Sequence, residues 1–85
     1  MSTEKLGVWL KAHIGDAVQL EFSDGHVVDA RVITVDLDEP SEVIYDVLRV
    51  VQVGPSQFAS VRPGIAAAAA IADLRRVRIA DEPNT

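Results

Sequence analysis

The residues able to do chemistry in this chain are few and scattered. His13 and His26 have no further histidine or cysteine at ligand spacing, and the chain has no cysteine, so a transition-metal site within one subunit is not expected. The serines lack a Gly-x-Ser-x-Gly motif, and neither histidine has an obvious orienting carboxylate nearby in sequence. The glycines are spread along the chain rather than grouped in a phosphate-binding loop. The sequence therefore predicts a protein that is not an enzyme, with no catalytic residues, metal or cofactor.

One acidic segment begins like a Ca²⁺-binding loop. Its acids are Asp36, Asp38, Glu39 and Glu42. The sixth position counted from Asp36 is not glycine, however, and the twelfth is Val47 rather than a bidentate glutamate. We interpret the segment as a solvated loop.

The charge distribution limits the partners that the chain can bind. A formal net charge of −5 argues against sequence-independent binding to a phosphate backbone. Between residues 16 and 46 nine acids accompany one base, Arg31, whereas residues 47–80 contain five arginines and one acid, Asp73. Two interpretations follow. Either the halves neutralise each other across neighbouring strands, or they form a polar surface that pairs head-to-tail with another copy.

Size and composition indicate one small folded unit. The chain has 85 residues, of which 48% are hydrophobic and 25% charged, too apolar a composition for a disordered tail. Without disulfides a chain this small depends on packing or on oligomerisation, so a homo-oligomer is expected. The longest apolar run is shorter than the about 18 consecutive apolar residues that a membrane-spanning helix needs. We therefore expect a single domain over residues 1–85, no membrane contact and a cytoplasmic location.

The N-terminal residues have the pattern of a short amphipathic helix. Ser2 or Thr3 can cap it, and Gly15 ends it. Its apolar stripe predicts a helix over about residues 3–14, docked on a sheet. Trp9 is interpreted as a core residue, with an exposed anchor as the alternative, and His13 as a helix-end residue. The stripe consists of Leu6, Trp9, Leu10 and His13.

Two strands and a tight turn follow the helix. Residues 17–22 alternate between apolar and polar, and Asp24-Gly25 supplies the positive φ that a hairpin turn needs; His26 is assigned to this turn. In the second strand, residues 27–36, the apolar parity changes after Val32. The change predicts a bulge or bend that turns the later half towards the same core. The first apolar set is Val28, Ala30 and Val32, and the second is Ile33, Val35 and Leu37.

The second half of the chain is less regular. Residues 43–53 predict a third strand with apolar side chains on both faces, which the helix or another subunit would cover. A short strand over residues 57–62 is possible. The alanine-rich residues 65–74 fit either a helix or an extended piece; we favour an extended piece, then a helical turn over residues 72–74. A last strand over residues 75–80 and a frayed tail over residues 81–85 complete the chain.

This order of elements resembles the Sm-like variety of the Src-homology-3-like barrel. Asp24-Gly25 stands at the first hairpin turn, Val35-Asp36 matches the hydrophobic-Asp pair, and Ala30 stands near the usual glycine bend. Val61-Arg62-Pro63-Gly64 is similar to the hydrophobic-Arg-Gly element, with a proline inserted. The resemblance implies a mainly β fold, a five-stranded bent antiparallel barrel after an N-terminal α-helix. It also implies a ring that binds single-stranded RNA, with Arg62 as the contacting residue.

Two functions are therefore expected. The first is a non-enzymatic interaction module that forms a homo-oligomer and binds a protein partner. The alternative is an RNA-binding ring in which Phe58, placed between glycine and proline residues, stacks on a base beside Arg62. The negative net charge disfavours the alternative.

Overall fold

The protein forms one antiparallel sheet with a helix packed against it. The computed structural model describes residues 2–54 and 64–80. The described strands occur in the order β4-β3-β2-β1-β5 across the sheet. The elements are α1 (Thr3–Lys11), β1 (Ala17–Phe22), β2 (Val27–Asp36), β3 (Glu42–Gln52), β4 (Ala66–Ala70), a 3-10 turn (Ile71–Asp73) and β5 (Leu74–Ile79).

The predicted fold class is confirmed at this level. The described residues contain five antiparallel strands and one N-terminal helix. Within the described ranges β4 and β5 are the edges of an open sheet, so closure into a barrel stays a prediction. The strand predicted over residues 57–62 and the frayed tail lie outside the described residues.

Helix α1 begins and ends with specific hydrogen bonds. The Ser2 hydroxyl accepts a hydrogen bond from the Lys5 amide at 3.2 Å, which satisfies one of the free amides of the first turn. Leu6 and Leu10 are buried against the sheet. The helix ends at Lys11, three residues before the predicted end, because the His13 amide bonds to the Leu10 carbonyl at 2.9 Å and tightens the last turn.

The first hairpin is confirmed. β1 pairs with β2 in a register that places Leu20 opposite Val28 and Gln19 opposite Asp29. Gly25 has a φ of 95°, the left-handed conformation that this turn requires and that glycine adopts without strain.

The parity change in β2 is a bulge. Val32 pairs with Tyr45 and Thr34 pairs with Ile44, so Ile33 is an extra residue. Val35 is buried as predicted, but Ile33 is 42% exposed and Leu37 40% exposed. Placing these two in the core was wrong, because the bulge restores the parity of Val35 by leaving Ile33 without a partner.

Strand β3 contains two further bulges. Its first half buries Val43, Tyr45 and Val47. Beyond them Leu48 and Val51 have no cross-strand partner on β2, and both are exposed. Cover of the second face is therefore partial: Leu48 is exposed, whereas Ile44 and Val50 are half-buried and Val50 packs against the core.

The alanine-rich segment is extended, as predicted. Ala66–Ala70 pairs with β3 over Glu42 to Asp46, so sheet hydrogen bonds override the helix propensity of alanine. The helical turn begins at Ile71, one residue before the predicted position. Only this turn separates the two edge strands, so the sheet must curl until its edges approach each other there. In the described ranges no helix is long and apolar enough to cross a membrane.

Candidate interaction surface

The strand register divides the sheet into an inner and an outer face. The inner face carries the core, including Val18, Leu20 and Val28. Because side chains alternate along a strand, Gln19 and Glu21 of β1 and Asp29 of β2 lie on the opposite side. We call this side the outer face.

Four polar side chains form a continuous row across the outer face. Gln19 lies opposite both Asp29 and Arg78, and Asp29 lies opposite Arg49. The Arg78 Nε donates to Gln19 Oε1 at 2.8 Å, and Gln19 Nε2 donates to Asp29 Oδ1 at 3.1 Å. The Arg49 Nη2 lies 2.8 Å from Asp29 Oδ2. This polar row, Arg78-Gln19-Asp29-Arg49, links β5, β1, β2 and β3.

Asp29 is the most buried member of the polar row. Its side chain is only 9% exposed, whereas that of Arg49 is 57% exposed. A buried carboxylate is stable only when its oxygens are hydrogen-bonded and its charge is paired, and the row supplies both. We therefore interpret Asp29 as structural rather than as a general acid or base.

Strand β5 carries a basic edge. Arg75, Arg76 and Arg78, which we call the arginine edge, are all exposed. Arg75 Nε lies 3.5 Å from Glu21 Oε2. Among the described residues Arg76 and Arg78 form no ion pair within 4.0 Å. The edge therefore carries a surplus of positive charge on a protein of negative net charge.

The two ion pairs bear on the charge asymmetry of the sequence. Asp29–Arg49 and Glu21–Arg75 each join an acid of the first half to an arginine of the second half on a neighbouring strand. They support neutralisation across neighbouring strands. Among the described residues, Arg76, which lies opposite Glu21, and Arg78 form no such ion pair.

Strand β4 forms the other edge and carries no charge. Its residues, Ala66–Ala70, are all alanine, and we call them the alanine edge. Ala66 and Ala68 are exposed, whereas Ala69 is buried against β3. Edge strands in native proteins usually bear charges, prolines or bulges that prevent pairing with another sheet. The alanine edge has none of these.

Hydrogen-bond alternation shows which amides of β4 point away from the sheet. The Val47 amide bonds to the Ile65 carbonyl at 3.1 Å, and the Ile71 amide bonds to the Ser41 carbonyl at 3.0 Å. Antiparallel pairing alternates every two residues. The amides of Ala67 and Ala69 therefore face β3, while those of Ala66, Ala68 and Ala70 face outwards.

The same argument applies to β5. The Ala80 amide bonds to the Ala17 carbonyl at 3.2 Å, so the even-numbered residues Arg78 and Arg76 direct their amides to β1. The amides of Val77 and Ile79 face outwards. Within residues 2–54 and 64–80, each edge thus has backbone donors and acceptors that point away from the sheet and could pair with an added strand.

Arg62 and Phe58, the two residues expected to bind RNA, lie outside the described residues. The rings of Phe22 and Tyr45 are buried, and the half-buried Trp9 packs against the core and stacks on His13 with a centroid distance of 3.9 Å. In the described ranges none of these rings lies on the outer face as a platform for a base.

The two histidines have structural surroundings. His13 Nδ1 lies 2.7 Å from the Trp9 carbonyl oxygen, which confirms its position at the helix end. His26 occupies the turn as predicted but is 1% exposed, and its Nδ1 accepts a hydrogen bond from the Gly54 amide at 3.1 Å. A Cβ at Gly54 would lie 2.7 Å from the backbone nitrogen of His26. The described residues contain no group of three potential metal ligands.

Sequence reasoning missed the polar row and the difference between the edges. In the sequence, Gln19 and Asp29 are recognisable only as polar residues between apolar neighbours. Their contacts depend on the register of four strands, and two of the three pairings between these strands are bulged or irregular. The one available signal was the outward parity of these residues.

Comparison with known proteins found no family model, curated protein or solved structure that matches the chain. The resemblance to Sm-like proteins therefore stays a prediction.

Proposed function

We propose that the protein is a non-enzymatic interaction module that associates with copies of itself through the alanine edge. The observation that carries this proposal is an edge strand of five small residues that itself bears no charge, proline or bulge. A cytoplasmic location also stays a prediction.

Backbone geometry supports pairing at this edge. The amides of Ala66, Ala68 and Ala70 face away from β3, so a second copy can add its own β4 in an antiparallel arrangement. Two β4 strands related by a two-fold axis would extend the sheet across both copies, since each contributes the same surface to a closed pair.

Side-chain size and nearby apolar residues support the same contact. The methyl side chains of β4 leave room on both faces of the sheet for the side chains of the added strand. Ile65, directly before β4, is 49% exposed, and Ile44, which lies opposite Ala68, is half-buried. Covering these side chains would add hydrophobic stabilisation to the backbone hydrogen bonds.

The proposal is tested by Ala68→Pro. Proline removes an amide that faces outwards, so the variant keeps the β3–β4 hydrogen bonds but cannot complete the pairing between copies. The matched control, Ala68→Ser, keeps the amide. Sedimentation equilibrium should show association of the wild type and of Ala68→Ser that increases with concentration, and a monomeric Ala68→Pro with an unchanged circular dichroism spectrum. A strictly monomeric wild type, or a proline variant that associates normally, would contradict the proposal.

The RNA-binding alternative gains no support from the described residues. It depends on Arg62 and Phe58, and it requires a salt-sensitive shift of short single-stranded RNA that Arg62→Ala removes.

A further inference from the structure

We propose that the arginine edge is a docking site for an extended acidic segment of a protein partner, which adds to β5 as a sixth strand. This inference goes beyond the proposed self-association, because it uses the other edge of the sheet and a different kind of partner.

The backbone of β5 can accept such a strand. The amides of Val77 and Ile79 face away from β1, so an extended segment can form main-chain hydrogen bonds with them. In this mode of recognition the backbone supplies affinity, and alternate side chains supply specificity.

The positions of the arginines determine where the partner's acids must lie. Arg76 and Arg78 direct their own amides to β1, so in the new antiparallel ladder they occupy non-hydrogen-bonded pairs. Opposed side chains approach most closely in such pairs. An aspartate or glutamate directly opposite each arginine would therefore form the best cross-strand ion pair.

The spacing of the arginines fits an extended chain. Arg76 and Arg78 are two residues apart on one strand, which corresponds to about 6.7 Å. Acids at positions i and i+2 of an added strand have the same spacing. Since Arg75 already contacts Glu21, the acids of the partner would form their ion pairs with Arg76 and Arg78.

The core-facing side of β5 determines which type of residue the partner needs between its two acids. Ile79 lies opposite Val18, on the core side of β5, yet it is 52% exposed, since none of the described strands lies beyond β5. A β-branched residue between the acids of the partner would cover the exposed Ile79 beside Val77, which is already buried. The segment that fits best therefore alternates acidic and apolar residues.

A carboxylate partner fits better than a nucleic acid. The net charge of −5 repels a long polyanion, whereas a short acidic segment meets mainly the local positive surplus. Stacking platforms, on which single-stranded nucleic acid depends, are lacking on the described outer face.

The test uses a labelled, end-capped peptide in which glutamate and valine alternate. Fluorescence anisotropy should show that the wild-type chain binds it more tightly than two comparison peptides, one with lysine for glutamate and one of the same composition in blocks. Backbone NMR should show slowed hydrogen exchange at the Val77 and Ile79 amides when the peptide is bound.

Variants separate the charge contribution from strand addition. Arg76→Gln and Arg78→Gln should each weaken binding about two- to five-fold. The double variant Arg76→Glu/Arg78→Glu should prefer the lysine peptide. Ile79→Pro removes an outward amide and should weaken binding strongly, whereas the matched Ile79→Val should leave it nearly unchanged. Circular dichroism checks that each variant is folded.

Three outcomes would overturn the proposal. The first is equal binding of the acidic and lysine peptides. The second is an effect of the arginines without any effect of Ile79→Pro, which would show an electrostatic contact but no added strand. The third is full competition by a short oligonucleotide at lower concentration than the peptide, which would identify phosphate as the preferred ligand. Repeating the titration with monomeric Ala68→Pro keeps the result independent of self-association.

Discussion

Tyr45 shows how burial alters the chemistry of a single residue. It is the only tyrosine of the chain, and it is 1% exposed in the core. Desolvation disfavours the charged phenolate, so burial raises the pKa of Tyr45 above its ordinary value of 10.0.

This shift predicts a loss of stability at alkaline pH. Between the unfolded and the folded pKa, the unfolded chain has lost the Tyr45 proton while the folded chain retains it. The free energy of unfolding should therefore fall as pH rises above about 10, by up to about 1.4 kcal/mol per pH unit from this group. Urea unfolding at increasing pH measures the slope.

Tyr45→Phe is the control for this prediction, because it fills nearly the same volume and cannot ionise. The variant should lose the part of the alkaline slope that Tyr45 causes. Identical slopes for the two proteins would show that Tyr45 ionises equally easily in both states.

At the same scale, Asp29 marks a limit of sequence reasoning. An aspartate between apolar residues is ordinarily assigned to solvent, and its outward parity was predictable. Its burial was not, because Gln19 and Arg49 cover it from strands 10 and 20 positions away in the chain.

At the level of elements, the bulge in β2 decides which residues reach the core. The change of parity was visible in the sequence, because alternation of apolar residues has a fixed period of two. The sequence could not show which residue would be extruded, since Val32 and Ile33 are both β-branched and apolar. In the structure Val32 keeps its place in the ladder opposite Tyr45, and both side chains are buried.

The bulge predicts unequal effects of two neighbouring substitutions. Val32→Ala should destabilise the protein by about 2 kcal/mol, because it leaves a cavity at a position that is 0% exposed. Ile33→Ala should cost less than about 1 kcal/mol, because Ile33 is 42% exposed. Urea denaturation of both variants measures the difference, and equal losses would place Ile33 in the core.

For the molecule as a whole, the two edges should act independently. The proposed self-association through paired β4 strands would use none of the groups on β5. Ala68→Pro should therefore leave peptide affinity unchanged, and Arg76→Glu/Arg78→Glu should leave self-association unchanged, so that the combined variant shows both losses additively.

This prediction also separates two modes of assembly. In a head-to-tail arrangement the alanine edge of one copy would contact the arginine edge of the next. The arginine variant would then disrupt association as strongly as the proline variant. Sedimentation of the two variants side by side distinguishes the modes.

The fold class was predictable at this scale because each strand has its own local pattern and turn. The identity of the edges was not, since it depends on which distant strands pair. The proposed RNA contact also depended on a segment, residues 55–63, outside the described residues.

The pairing of β1 with β5 has a consequence for how the chain folds. β2 follows β1 after a four-residue turn, but the other neighbour of β1 is distant: Val18 pairs with Ile79, 61 residues later (79 minus 18). Such long-range pairing must close a large loop before it gains hydrogen bonds, which slows folding. During synthesis, the side of β1 that pairs with β5 therefore remains without its partner until β5 has been made. In that interval the nascent chain is most exposed to mispairing with strands of other chains.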